Sequence, residues 1–284
     1  MAEMAANIQA VNRTRLRSMT VPREHGAWGM LLVPLAIGGV VGLRSTENLP
    51  ALLSLLVAAI TLFWLRTPVE AMLGTTPIKA RHAEERRYLS LFIVALSALA
   101  ALCLIVIFWH GRNRALLPVG MVAAAAFALQ ALVKRAGRKG RMPAQMIGSI
   151  GLTSTAAAGY CVASGRWASI AIALWAINFA FAAGQVHYVQ VRIHSSRATS
   201  RSELLGIGDF FLLGEALLCA VVASAWYFGL VPGLATLAFV PIVIRGFLLF
   251  ARRPSPLNVH RLGWTELANA VVFGTLLCAA YWNH

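Results

Sequence analysis

The sequence predicts an all-α polytopic membrane protein with nine transmembrane helices. Three observations predict it. Charged residues make up only 12% of the 284, against about a quarter in soluble globular domains. Hydrophobic residues reach 59%, with a mean hydropathy of +0.71. The charges gather in short clusters between apolar runs, and those runs have the ~20 residues that a spanning helix needs.

Nine stretches qualify. The first, near 25–43, opens at Pro22-Arg23-Glu24-His25-Gly26-Ala27-Trp28 and runs straight into Gly29-Met30-Leu31-Leu32-Val33-Pro34. The second, near 50–70, ends in Arg66-Thr67-Pro68-Val69-Glu70, where polar residues enter the helix. The third, near 88–109, follows the charge run Ala83-Glu84-Glu85-Arg86-Arg87, which reads as a loop. The fourth, near 115–134, leads into the basic loop Lys134-Arg135-Ala136-Gly137-Arg138-Lys139-Gly140-Arg141. That loop reads as a topology determinant that can also touch anionic head groups. The fifth lies near 143–164, and the sixth, near 167–191, again takes up polar residues at its C-terminal end. The seventh and eighth, near 206–229 and 231–250, are separated by Gly229-Leu230-Val231-Pro232-Gly233, a tight turn rather than continuous helix. The ninth lies near 263–282. Residues 1–21 lack a secretory h-region and cleavage site, so they read as a short amphipathic or disordered cytoplasmic lead. Residues 22–284 then form a single nine-helix domain.

Charge sets the expected orientation. With the N-terminus cytoplasmic and the C-terminus outside, 21 of the 25 Lys and Arg fall in inner segments. Only Arg44, Arg112, Arg114 and Arg166 lie outside. Cytoplasmic loops of membrane proteins carry this basic excess, and dropping one helix would strand basic loops on the wrong side. The net charge of +15 therefore speaks for topology and not for nucleic acid, since no soluble basic face exists to carry it. The expected location is the inner membrane of a bacterium, with lipid as the constant partner.

Small residues suggest close helix packing: Gly38 and Gly42 are four apart, and Gly148 and Gly151 precede Ala156-Ala157-Ala158-Gly159. Trp28, Trp64, Trp109, Trp167, Trp226, Trp264 and Trp282 lie near span ends as interfacial anchors, whereas Trp175 sits deeper. Cys103, Cys161, Cys219 and Cys278 lie in apolar runs without a CxxC pair and read as small buried hydrophobes. His82, His194 and His260 read as solvated loop residues. No close His, Cys and carboxylate spacing suggests a metal, and no cofactor is expected. Nucleotide-binding glycine loops, HExxH and the nucleophile elbow are all missing from the sequence.

Ionisable residues inside membrane spans are costly and mark sites by default. Here they collect at the expected cytoplasmic ends. Arg23, Glu24 and His25 open the first span, and Arg66 and Glu70 close the second as i, i+4 neighbours. Asn178, Gln185 and Arg192 recur every seven residues down the sixth, beside His187 and Tyr188. Asp209 and Glu215 lie in the first half of the seventh but diverge around the helix. Arg245 lies inside the end of the eighth, and Glu266 near the start of the ninth. Two arrangements fit. The arginines and glutamates can compensate each other across helix ends. Alternatively, guanidinium groups can line a cavity that takes anionic oxygens in pairs, with His25 or a glutamate moving a proton.

The motifs resemble those of the YwiC-like family of bacterial membrane proteins. The resemblance rests on Pro22 to Trp28 with Pro34 after it, on Val186-His187-Tyr188-Val189-Gln190-Val191-Arg192, on Pro241-Ile242-Val243-Ile244-Arg245, and on Leu262-Gly263-Trp264-Thr265-Glu266-Leu267. It covers about residues 22 to 282 and brings no established activity. The architecture also distantly resembles UbiA-type prenyltransferases, which imply a nine-helix bundle with a cytoplasm-facing cavity. Their two Asp-rich magnesium motifs follow helices two and six. Here Arg66 to Glu70 and His187 to His194 take those places, and the second has no acid at all. Magnesium needs oxygen ligands, so metal-dependent prenyl transfer is not expected. The expected function is binding of a small anionic or amphipathic ligand in a cytoplasm-facing polar cavity. A UbiA-like lipid-modifying or prenyl-modifying enzyme without those motifs, or a small-molecule transporter, are the alternatives, and whether the chain is an enzyme stays open.

Overall fold

Polar helix ends fold as helix even where hydropathy has already fallen, so most elements outrun their apolar cores. In the computed structural model, residues 15–22, 25–44, 48–75, 78–111, 116–137, 140–196, 198, 200–251 and 257–282 are described. Among them there are helices and no strands. Residues 15–20 form α1. Next come α2 (His25–Leu43), α3 (Leu49–Leu73), α4 (Ala83–Trp109) and α5 (Leu116–Lys134). They are followed by α6 (Arg141–Thr153), α7 (Thr155–Ser164), α8 (Ser169–Ser195) and α9 (Arg201–Tyr227). The chain closes with α10 (Gly233–Leu237), α11 (Val240–Ala251) and α12 (Val259–Trp282). Nine of the described segments are long and apolar enough to cross a membrane, with α6–α7 and α10–α11 each counting as one.

Two spans are broken where the sequence reading had one helix. In the fifth, Thr153, Ser154 and Thr155 each donate a side-chain hydroxyl to a carbonyl three or four residues back. Such back-bonding competes with the helix ladder and bends it. The Trp175 indole and the Ser154 amide both donate to Ile150 O, at 3.1 and 3.2 Å. In the eighth, Ala238 and Phe239 donate to carbonyls three residues back, and α11 restarts with Pro241 in its first turn, where a missing N–H costs little.

The charge run at residues 83–87 is the start of α4 and not a loop. Glu85 Oε2 accepts from the Arg81 and His82 amides at 2.8 and 3.3 Å. That satisfies donors otherwise orphaned at a helix start. His194 and His260 are exposed but belong to the ends of α8 and α12 rather than to loops.

The centre of the bundle is α7, where every residue from Ala156 to Ser164 is buried. It packs on α2 backbone to backbone. A Cβ on Gly38 would overlap the carbonyl oxygen of Ala156, and one on Gly159 would lie 2.7 Å from Leu35 O. Thr155 also donates to Leu31 O at 2.9 Å, one turn before Pro34. The outward faces of α4 and α9 are apolar and exposed, as at Leu91, Leu102, Leu213 and Leu217. With lipid as solvent these faces need no cover. Cys219 lies on such a face, so it is exposed and not buried as expected, whereas Cys103 and Cys161 are buried. The described cysteines are free thiols.

Candidate functional site

The chain alternates direction, so α3, α5, α8 and α11 finish at the end of the bundle where α2, α4, α9 and α12 begin. The ionisable residues of the spans gather toward this end in two groups. Arg23 and Glu24 lie outside the described residues, and His25 starts α2 with its side chain also outside them.

The first group joins α3 to α5. Glu70 is buried, and its Oε1 accepts from Arg66 Nε and from Lys134 Nζ, each at 2.9 Å. The i, i+4 spacing in α3 delivers Arg66, as the sequence predicts. Lys134 arrives from the last residue of α5 and was missed, because it reads as the first member of a basic loop. Its position was a usable signal: it closes the fourth span at the same end at which Glu70 closes the second. Two cations thus meet on one carboxylate oxygen. Helix α3 continues through Pro68. Close by, the Trp64 indole donates to Thr20 O at 2.7 Å, and Arg15 Nε pairs with Glu85 Oε1 at 2.6 Å. These contacts dock α1 beside the group, with buried Met19 against Ala71, Ala80 and Leu89.

The second group joins α8, α9, α11 and α12. Arg245 Nη1 donates to Glu266 Oε1, and the guanidinium carbon sits 3.9 Å from the centre of the Tyr188 ring. Gln185 Nε2 donates to the Glu266 backbone carbonyl at 2.9 Å. Glu215 is buried, with its carboxyl between α8 and α11. A Cβ on Gly184 would lie 3.8 Å from Glu215 Oε1, and one on Gly246 3.4 Å from Glu215 Cδ. Those two glycines make room for the carboxyl. His187 packs edge-on against Phe211, with ring centres 5.2 Å apart, on the same α8–α9 seam. Asp209 is exposed, so the divergence of Asp209 and Glu215 around α9 holds.

Arg192 is half-buried in the last turn of α8. Asn178, on the same stripe, is buried, and its amide donates to Leu174 O of its own helix at 2.8 Å. Among the described residues no group of three or more His, Cys, Asp or Glu is arranged to hold a metal ion. Asn269, one turn beyond Glu266, was also missed. It carries no charge, so a search for ionisable residues passes over it.

The chemistry available is therefore charge recognition and proton transfer on a membrane-embedded scaffold. Residues 21–160 match the family model described as YwiC-like protein. That stretch of the chain is similar to the YwiC-like family, and nine described segments are long and apolar enough to cross a membrane. The YwiC-like match takes in Arg66, Glu70 and Lys134, and it ends before Gln185, Glu215, Arg245 and Glu266. No curated protein and no solved structure matches the chain.

Proposed function

We propose that the chain is a multi-pass protein of the bacterial inner membrane that binds a small anionic or amphipathic molecule from the cytoplasmic side. In this reading the N-terminus is cytoplasmic and the C-terminus outside, which the 21-to-4 division of basic residues supports. The bundle is one UbiA-like nine-helix domain. The candidate binding residues are Arg23, Glu24, His25, Arg66, Glu70, Gln185, His187, Tyr188, Arg192, Glu215, Arg245 and Glu266, with Lys134 added. One observation carries the proposal: Arg66 and Lys134 share a single carboxylate oxygen of Glu70. Two cations so placed at a span end favour anionic oxygens.

Native mass spectrometry of the full chain released from its own membranes tests this. An anionic amphipath should stay bound to the wild type. Lys134→Ala should weaken it about tenfold to a hundredfold, the equivalent of one charged hydrogen bond. Wild-type protein that carries no anionic molecule, whatever the lipid supplied, overturns the reading.

The Lys134–Glu70 pair also favours a second reading, because it fastens α3 to α5. On that reading Lys134→Ala lowers the amount of protein in the membrane and leaves any bound molecule unaffected.

A further inference from the structure

The second group has the opposite charge balance. Two carboxylates, Glu215 and Glu266, stand about one guanidinium, Arg245, and Arg245 is committed to Glu266. Glu215 is 4% exposed, and its Oε2 has no hydrogen-bond partner among the described residues. Glu266 Oε2, Arg245 Nε and Asn269 Nδ2 are likewise buried without one. Buried polar atoms normally find partners, so the unmatched oxygens of Glu215 and Glu266 about Arg245 call for a further donor.

We propose that Glu215 holds an exchangeable proton inside the bundle, in a site shared with Arg245 and Glu266. With both acids ionised the three groups sum to a single negative charge. Removing a charge from water into an apolar interior is expensive, and such groups neutralise instead. One proton on Glu215 brings the sum to zero and turns one oxygen from acceptor into donor. No other bond changes: a carboxylate takes up a proton and becomes a carboxylic acid.

The neighbours leave this role to Glu215. From α8, the Gln185 amide is spent on the Glu266 carbonyl, Tyr188 lies under Arg245, and His187 packs on Phe211. Cys219, one turn further along α9, is exposed. Helix α10 carries no titratable side chain. From α11 and α12, Arg245 and Glu266 form the ion pair, with the neutral Asn269 one turn on, while His260 and Arg261 at the start of α12 are exposed. The site lies apart from the Arg66–Glu70–Lys134 group, which is the observation that carries the anionic-ligand reading, so the two proposals rest on different residues.

The test uses the full-length protein in lipid nanodiscs. Dicyclohexylcarbodiimide is an apolar reagent that adds to protonated carboxyls. Peptide mass spectrometry should find its adduct on Glu215, with none on Glu266 or Glu70, and labelling should fall as the pH is raised. In Glu266→Gln the guanidinium is released to Glu215, and labelling there should drop at least tenfold. Infrared spectroscopy reads the same proton without needing reagent access. A carboxylic-acid band should appear in the wild type and vanish in Glu215→Gln. An adduct on Glu266 instead, or a band unchanged in Glu215→Gln, overturns the proposal. If the variants do not fold, the wild-type pattern decides alone: labelling of Glu215 supports the site, and an unlabelled Glu215 with no carboxylic-acid band overturns it.

Discussion

At Gly38 the chain allows no side chain at all. A Cβ there would overlap the Ala156 carbonyl, which belongs to the backbone of the buried α7 and cannot swing aside. Gly42 repeats the contact one turn later, where a Cβ would lie 2.7 Å from Tyr160 O. Without a hydrophobic drive between helices in lipid, close approach is what holds them together. Gly38→Ala should therefore destabilise the bundle by ~3 kcal/mol, the upper range for overpacking. Gly120→Ala, with nothing within 4 Å of the new methyl, should be neutral. Thermal denaturation of the two variants in detergent, followed by size-exclusion recovery, compares them directly. The small-residue spacing was readable in the sequence; its partner was not. Gly38 faces Ala156 because α2 and α7 are neighbours in space, and nothing in either segment states that.

At the level of elements, charged pairs decide which helices are tied. Lys134 and Glu70 join α5 to α3 at 2.9 Å, and Arg245 and Glu266 join α11 to α12. Of the arginine–glutamate pairs the sequence suggests, Arg66–Glu70 forms within one helix and Arg245–Glu266 forms between two. The first follows from i, i+4 spacing, which is local geometry. The second needs the rotation of two helices about their own axes, which periodicity does not provide. Glu70→Gln removes the carboxylate that Arg66 and Lys134 share. It should cost about 3 kcal/mol, as expected for breaking a buried pair from one side. A lowered melting temperature that Glu70→Asp partly restores is the expected measurement. A fall equal in both variants would assign the loss to packing and not to charge.

For the whole molecule, the expected arrangement is a bundle with its basic end toward the cytoplasm. Single cysteines placed at residues 45, 113 and 166, in a background without the four native ones, should react with an impermeant maleimide from outside intact cells. Cysteines at residues 82 and 138 should react only after the cells are opened. The reverse pattern would invert the orientation and turn the charged groups away from the cytoplasm. The inward charges and outward leucines also explain why burial is low on α4 and α9 and complete from Ala156 to Ser164 of α7. The peripheral helices meet lipid on one side, whereas α7 meets only protein.

The sequence by itself determined that lipid is the solvent, that nine segments can span it, and where along each span the ionisable residues stand. Each of these is a property of consecutive residues: hydropathy summed over a window, or the position of a charge within it. Tertiary structure alone decided that the Trp175 indole of α8 reaches Ile150 O at the break in the fifth span. It also decided that Lys134 reaches Glu70 and that Glu215 lies beside an arginine already bound to another acid. The physical reason is the same in every case. A helix offers its side chains in all directions, and only its neighbours select which of them are buried and which charges meet.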